Sequence, residues 1–144
     1  MLVSDIMNAK GKEVKTIHSE DTALFLARRL KSEQVGALVV SDDGQSLDGI
    51  ISERDLAYGL AAHGDKLHSI VVSDLMTKAV ITCSPKETIA EVMRVMTQRR
   101  IRHLPVMEGN RLVGLISIGD VLKHRLGEIQ LEANVLRDYA VASR

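Results

Sequence analysis

Aromatic side chains are nearly absent from this chain, which has one Phe, two Tyr and no Trp. The core must therefore be aliphatic and Met-filled, and the aromatic faces on which single-stranded nucleic acid stacks are missing. An excess of either charge is missing too: nineteen Lys and Arg balance nineteen Asp and Glu. Nothing global draws DNA, RNA or an anionic membrane to the surface. A single cysteine, Cys83, excludes an internal disulfide framework and fits a reducing compartment. It reads as a small buried hydrophobe rather than a nucleophile. No apolar run approaches the roughly 18 residues of a membrane span, and the N-terminus lacks the long apolar stretch of a signal peptide. The expected location is cytoplasmic. Five scattered histidines show no metal-ligand spacing, so no metal site is expected. There is no glycine-rich phosphate loop and no nucleophile–base–orienter set, so catalysis is not expected.

What the chain does have is repetition. Ser-Asp-Ile-Met at 4–7 recurs as Ser-Asp-Leu-Met at 73–76, an offset of 69. Val14 and Thr16 recur as Val80 and Thr82, an offset of 66. The apolar face Ala23, Leu26, Ala27 and Leu30 recurs as Ile89, Val92, Met93 and Met96. GIISERD at 49–55 recurs as GLISIGD at 114–120, an offset of 65. A period this long indicates two copies of a small domain rather than a solenoid. Too small to bury an adequate core singly, they are expected to pack face to face about a pseudo-twofold axis.

Each copy reads as β-α-β-β-α, a mixed α/β (α+β) module. A helical turn ends in Met7 or Met76. An extended segment follows at 14–17 or 80–83, then an amphipathic helix with i, i+3, i+4, i+7 apolar spacing. Ser84-Pro85-Lys86-Glu87 has the form of a capping box with Pro in the first helical position. Two strands form a hairpin, at 36–41 and 47–51 in the first copy and at 103–107 and 112–116 in the second. A second helix starts after each Ser-x-x-Asp. The expected boundaries are 2–64, a linker at 65–72, 73–126, and a helical extension at 127–144. In that extension Leu122, Leu126, Ile129, Ala133, Leu136 and Ala140 make a short heptad seam. It serves either packing on its own module or self-association.

Ser52 with Asp55, and Ser117 with Asp120, sit where a strand gives way to a helix N-terminus. Free N–H groups and the helix dipole suit an anion there, and a carboxylate can accept from vicinal hydroxyls. The competing role is a plain helix cap.

The tandem SDIM…GIISERD and SDLM…RHLPV…GLISIGD pattern resembles a pair of cystathionine beta-synthase (CBS) domains, the Bateman module, over about residues 2–126. The resemblance implies two copies packed through their sheets, with clefts that take adenosine-containing ligands such as AMP, ADP, ATP, NAD(H) or S-adenosylmethionine. It also implies homodimers that regulate enzymes or channels. Carried over by motif, Asp120 matches the ribose-binding Asp and Ser117 its hydroxyl neighbour, while Arg102 and His103 match the basic pair that faces phosphate. Ile81 and Ile101 would hold the base. The second copy is therefore expected to hold the better site; the first keeps Ser52 and Asp55 but has Gly36-Ala37 in place of the basic pair. Arg54, read as lying in the loop before the second helix, is its phosphate donor and can reach across to the other copy's ligand. Three roles remain: a nucleotide sensor, a docking protein with degenerate clefts, and an enzyme.

Overall fold

The computed structural model describes residues 1–11 and 13–142. The elements run α1 (Val3–Lys10), β1 (Thr16–Ile17), α2 (Ala23–Glu33), β2 (Ala37–Val40), β3 (Gly49–Ser52), α3 (Glu53–His63), a 3-10 turn (Gly64–Ser69), α4 (Val72–Leu75), α5 (Ile89–Arg99), β4 (His103–Glu108), β5 (Arg111–Ser117) and α6 (Ile118–Ala142). In the first copy β1 lies parallel to β2, and β2 antiparallel to β3. In the second, β4 and β5 form the hairpin. The segment at 80–83 is not a strand; only Cys83 pairs, in a parallel bridge to Val106. The third strand expected of the second copy is thus reduced to a single rung.

Helices α2 and α5 bury the apolar spacing that predicts them. Ala23, Leu26 and Leu30 face one core, and Ile89, Val92 and Met96 the other. Ala27 falls on the exposed side. The start of α5 corrects the sequence reading. Thr88 is the N-cap and forms the box with Glu91, so the helix opens at Ile89. Ser84–Glu87 closes a separate turn, in which the Ser84 N–H donates to Glu87 at 2.7 Å. Both α2 and α5 end on a left-handed residue that is not glycine, Gln34 and Arg100, each at φ 55°.

The two cores are built by exchange. Val3 and Ile6 of α1 are buried with Ile89, Leu104 and Ile116 of the second copy. Val72 of α4, with Leu75 and Met76, packs with Leu26, Leu38 and Ile51 of the first. The exchange is reciprocal in the backbone as well. Leu2 bridges Thr88, and Val71 bridges Thr22. The Val3 N–H donates to Glu87 O at 2.8 Å, and the Ala23 N–H to Ile70 O at 2.8 Å. The expected boundaries at 64 and 73 follow chain order, whereas each core takes its first short helix from the other half. The expected linker is itself ordered, holding the 3-10 turn and the first residue of α4.

One difference between the copies matters for function. Helix α4 stops at Leu75, while α1 runs one turn further, to Lys10. Between the SD-x-Met motif and the next extended segment the first copy carries three more residues, visible as the drop in offset from 69 to 66. At the far end, α6 continues unbroken through Gly127 to Ala142; residues 143 and 144 of the expected extension lie outside the described residues.

Candidate functional site

A cleft of about 580 Å³ opens between the copies, within the usual range of roughly 300–1,000 Å³ for a small-molecule site. The first copy contributes Ile50, then Ser52, Glu53, Arg54 and Asp55 at the β3–α3 junction, with Gly36 and Ala37 from the start of β2. The second contributes Thr77, Ala79, Val80 and Ile81, the run Arg100–His103, and Ile118. The run leaving α4 is held against β3, because Ile50 and Thr77 exchange backbone hydrogen bonds of 3.0 and 2.9 Å. Beyond that pairing the run bends at Lys78 and Ala79, where the Val80 N–H donates to Lys78 O at 3.0 Å. A second pair of bonds fixes the opposite wall: the Glu53 N–H donates to Gly36 O at 3.0 Å, and the Ile118 N–H to Arg102 O at 2.7 Å.

Seven of the nine residues expected at a ligand site meet here: Arg102, His103, Ile101, Ile81, Arg54, Asp55 and Ser52. Asp120 and Ser117 are not among the lining residues. The acid that shares a cleft with Arg102 is thus Asp55, from the other copy. Arg54 is helical rather than in a loop, in the first turn of α3. It reaches across, and its Nη1 donates to Arg100 O at 3.4 Å.

Asp55 caps its helix with one oxygen. The Ser52 N–H donates to Oδ2 at 2.9 Å and the Ser52 hydroxyl to the same atom at 3.2 Å. The cap and ligand roles are therefore compatible, since the second carboxylate oxygen is left for a ligand hydroxyl. The cleft that Asp55 lines is also lined by three arginines, Arg54, Arg100 and Arg102, and by the N-terminus of α3. Against them stand Glu53 and Asp55 alone among the lining acids. This balance favours a ligand carrying negative charge. Ile50, Val80, Ile81, Ile101 and Ile118 supply the apolar part.

His103 is half-buried and its pKa lies below the ordinary histidine value. Burial is the main cause, assisted by Lys10 and Arg102 and opposed by Asp120 and Glu53. It is therefore a neutral hydrogen-bonding group at neutral pH. Burial, with Glu87 nearby, pushes the Cys83 thiol up to about 12, which leaves it a packed apolar side chain.

The equivalent acid of the second copy is already engaged. Lys10 Nζ donates to Asp120 Oδ2 at 2.7 Å and to Leu115 O at 2.9 Å. The Ser117 N–H donates to the same Oδ2 at 2.9 Å, and the Asp120 N–H to Ser117 Oγ at 3.1 Å. Burial alone raises this carboxyl's pKa, but Lys10 and the Ser117 N–H outweigh it and hold it below the usual value. The extra turn of α1 puts Lys10 there. The shift in repeat offset is its only trace in the sequence. Arg100 lines the cleft as well, which the basic cluster Arg99-Arg100-Ile-Arg102 does not by itself indicate. Its contribution depends on the turn at the end of α5.

A family model described as the CBS domain matches residues 3–62 and 72–127. The chain is 35% identical over 145 residues to the CBS domain-containing protein CBSX3, mitochondrial, of Arabidopsis thaliana, covering 95% of this chain and 70% of that one. The crystal structure of the CBS-domain protein ATU1752 from Agrobacterium tumefaciens superposes with a TM-score of 0.83 at 39% identity, over 87% of this chain and 99% of that one. The CBS domain pair of protein MJ0100, solved in complex with 5′-methylthioadenosine and S-adenosyl-L-methionine, gives 0.78 at 28% identity, over 89% and 98%.

Proposed function

The chain belongs to the CBS domain family as a tandem pair, and from that premise we propose that it is a regulatory module sensing a phosphorylated adenosine nucleotide in the open cleft. The observation that carries the reading is the meeting, across the two copies, of Asp55 with Arg54, Arg100 and Arg102. In this reading Asp55 accepts from the ribose hydroxyls, the guanidinium groups and the α3 N-terminus take phosphate, and Ile81, Ile101 and their neighbours hold the base. The adenosine moiety is supported by the ligands of MJ0100. The arginines favour AMP, ADP, ATP or NAD(H) over an uncharged thioether nucleoside. Asp120 and Ser117 belong to a second position that Lys10 closes. The module acts on a partner enzyme or channel rather than catalysing a reaction.

We place it in the cytoplasm as a homodimer. Its free thiol fits a reducing compartment, and among the described residues no helix is long and apolar enough to cross a membrane. The dimer reading rests on Leu24, Phe25, Tyr58 and Leu60, all exposed on α2 and α3.

Calorimetric titration with AMP, ATP, NADH, 5′-methylthioadenosine and S-adenosylmethionine tests the function. A phosphorylated ligand should bind best, and Arg102→Ala should weaken AMP about tenfold while leaving adenosine nearly unchanged, given roughly 1.5–3 kcal/mol for a charge-assisted hydrogen bond. If no ligand binds, the docking role replaces the sensor. Turnover of any bound nucleotide would make it an enzyme.

A further inference from the structure

Helix α6 outlasts the domain it closes. The family match ends at residue 127, yet the helix continues to Ala142. Its root is fixed to the module by Val121, which is fully buried, and by the ion pair of Glu128 with the Met1 ammonium at 3.2 Å. About a quarter turn round the helix runs the heptad row, and it is uncovered. Leu122, Leu126, Ile129 and Leu136 are 46, 65, 47 and 69% exposed, and Ala133 and Ala140 between and beyond them are exposed as well.

The charges beside this row decide what fits it. With Leu122, Ile129 and Leu136 at d and Leu126, Ala133 and Ala140 at a, Glu132 falls at g and Arg137 at the following e. In a parallel, in-register pair, g of one helix faces the next e of the other, so Glu132 meets Arg137 of the partner subunit, twice by symmetry. Arg125 at g meets the neutral Gln130 at e. An antiparallel pair on the same seam sets Glu132 against its own copy and Lys123 against Arg137, both like-charged. The alanines at a let the backbones approach closely, and Gly127, at b, lies off the seam. We propose that the seam of α6 is an interface with a second copy of this chain, forming a parallel two-stranded coil outside the CBS fold. This contact is separate from the α2–α3 faces and from any ligand.

Site-directed cross-linking tests it on the full chain. Ala133→Cys and Ala140→Cys each place a thiol at an exposed a position, where a parallel pair brings it against its own copy. In a glutathione redox buffer both variants should run as disulfide-linked dimers, while the wild type, with only the buried Cys83, stays unlinked. Leu136→Asp added to Ala133→Cys should abolish the link. In the same background Glu132→Arg should slow linking, and Glu132→Arg with Arg137→Glu should restore it. Unchanged melting temperatures would confirm that each variant folds. Linking at neither position overturns the proposal and leaves the seam to a different protein. Linking at only one indicates another register or orientation, and a link that survives Leu136→Asp reports collision; either also overturns it.

Discussion

Asp55 and Asp120 occupy equivalent motif positions, each accepts from the backbone N–H of its serine, and they differ in what else reaches the carboxylate. Asp55 lines an open cleft together with three arginines; Asp120 pairs with Lys10 at 2.7 Å. Under the sensor reading, saturating nucleotide at about 100 times Kd adds roughly 2.7 kcal/mol of stability. At about 2–4 °C per kcal/mol for a chain of this size, the melting temperature should rise by about 5–10 °C. Asp55→Asn keeps a capping oxygen, so apo stability should fall little, but most of the ligand shift should vanish; Asp120→Asn should keep it. Scanning fluorimetry with and without AMP or ATP makes the comparison, and an intact shift in Asp55→Asn would reduce Asp55 to a cap. The Lys10 contact has its own signature in acid. Asp120 is depressed in the folded state, so its stabilisation is fully present above the ordinary carboxyl pKa and is lost as pH falls below that value and through the lower folded one. Lys10→Met should therefore melt lower than wild type at about pH 5, with the gap closing toward about pH 3. A constant gap would mean that Lys10 contributes only packing.

Among the elements, the two Gly-starting strand motifs look alike in sequence and are not alike in space. A Cβ on Gly49 of β3 would come 2.7 Å from Met76 Sδ and 2.9 Å from the Thr77 carbonyl oxygen. The side chain can move, but that carbonyl is locked by the Ile50–Thr77 pairing. A Cβ on Gly114 of β5 meets the flexible end of Met7 at 2.9 Å, and the next atoms lie at 3.5 and 3.6 Å. Overpacking costs about 1–3 kcal/mol, against a gain of about 0.4–1 kcal/mol from a stiffer unfolded chain. Gly49→Ala should therefore lower the melting temperature by several degrees, and Gly114→Ala should be close to neutral. Equal losses would show that the Thr77 carbonyl yields. Because Thr77 also lines the cleft, Gly49→Ala should weaken ligand binding as well, which titration reads separately.

For the whole molecule, the exchange of α1 and α4 makes the halves interdependent. A fragment of residues 1–66 lacks Val72, Leu75 and Met76, which complete its core, and residues 67–144 lack Val3 and Ile6. Exposing a core that has lost two or three aliphatic side chains costs several kcal/mol at about 2–5 kcal/mol per large residue, comparable with the entire stability of a small domain. Each fragment alone should show no cooperative melting by circular dichroism, and an equimolar mixture should recover it. Independent folding of either half would mean that the exchange is dispensable. Sedimentation of the full chain should give at least twice 15.8 kDa at micromolar concentration, and a single-chain mass throughout would remove the homodimer.

Much of this was written in local chemistry. The duplication, the helical faces of α2 and α5, the hairpins and the Ser-x-x-Asp junctions are properties of spacing and residue type within a few turns of chain, so they were legible before any contact was known. The motif order that marks a CBS pair is of the same kind. Which residues share a cleft is different, because it depends on pairing between distant segments. Ile50 pairs with Thr77 along one wall, and the packing of the two copies puts Asp55 and Arg102 in the lining of one cleft. Three additional residues after Met7 had no visible consequence until the fold turned them into the last turn of α1 and set Lys10 on Asp120. The start of α5 was settled by which hydroxyl the tertiary frame presents to the first free N–H groups: Thr88, paired with Leu2, outcompetes Ser84. Sequence spacing specifies each element and its chemistry; only the packing of the two halves put Asp55 on the wall of the open cleft and Asp120 against Lys10.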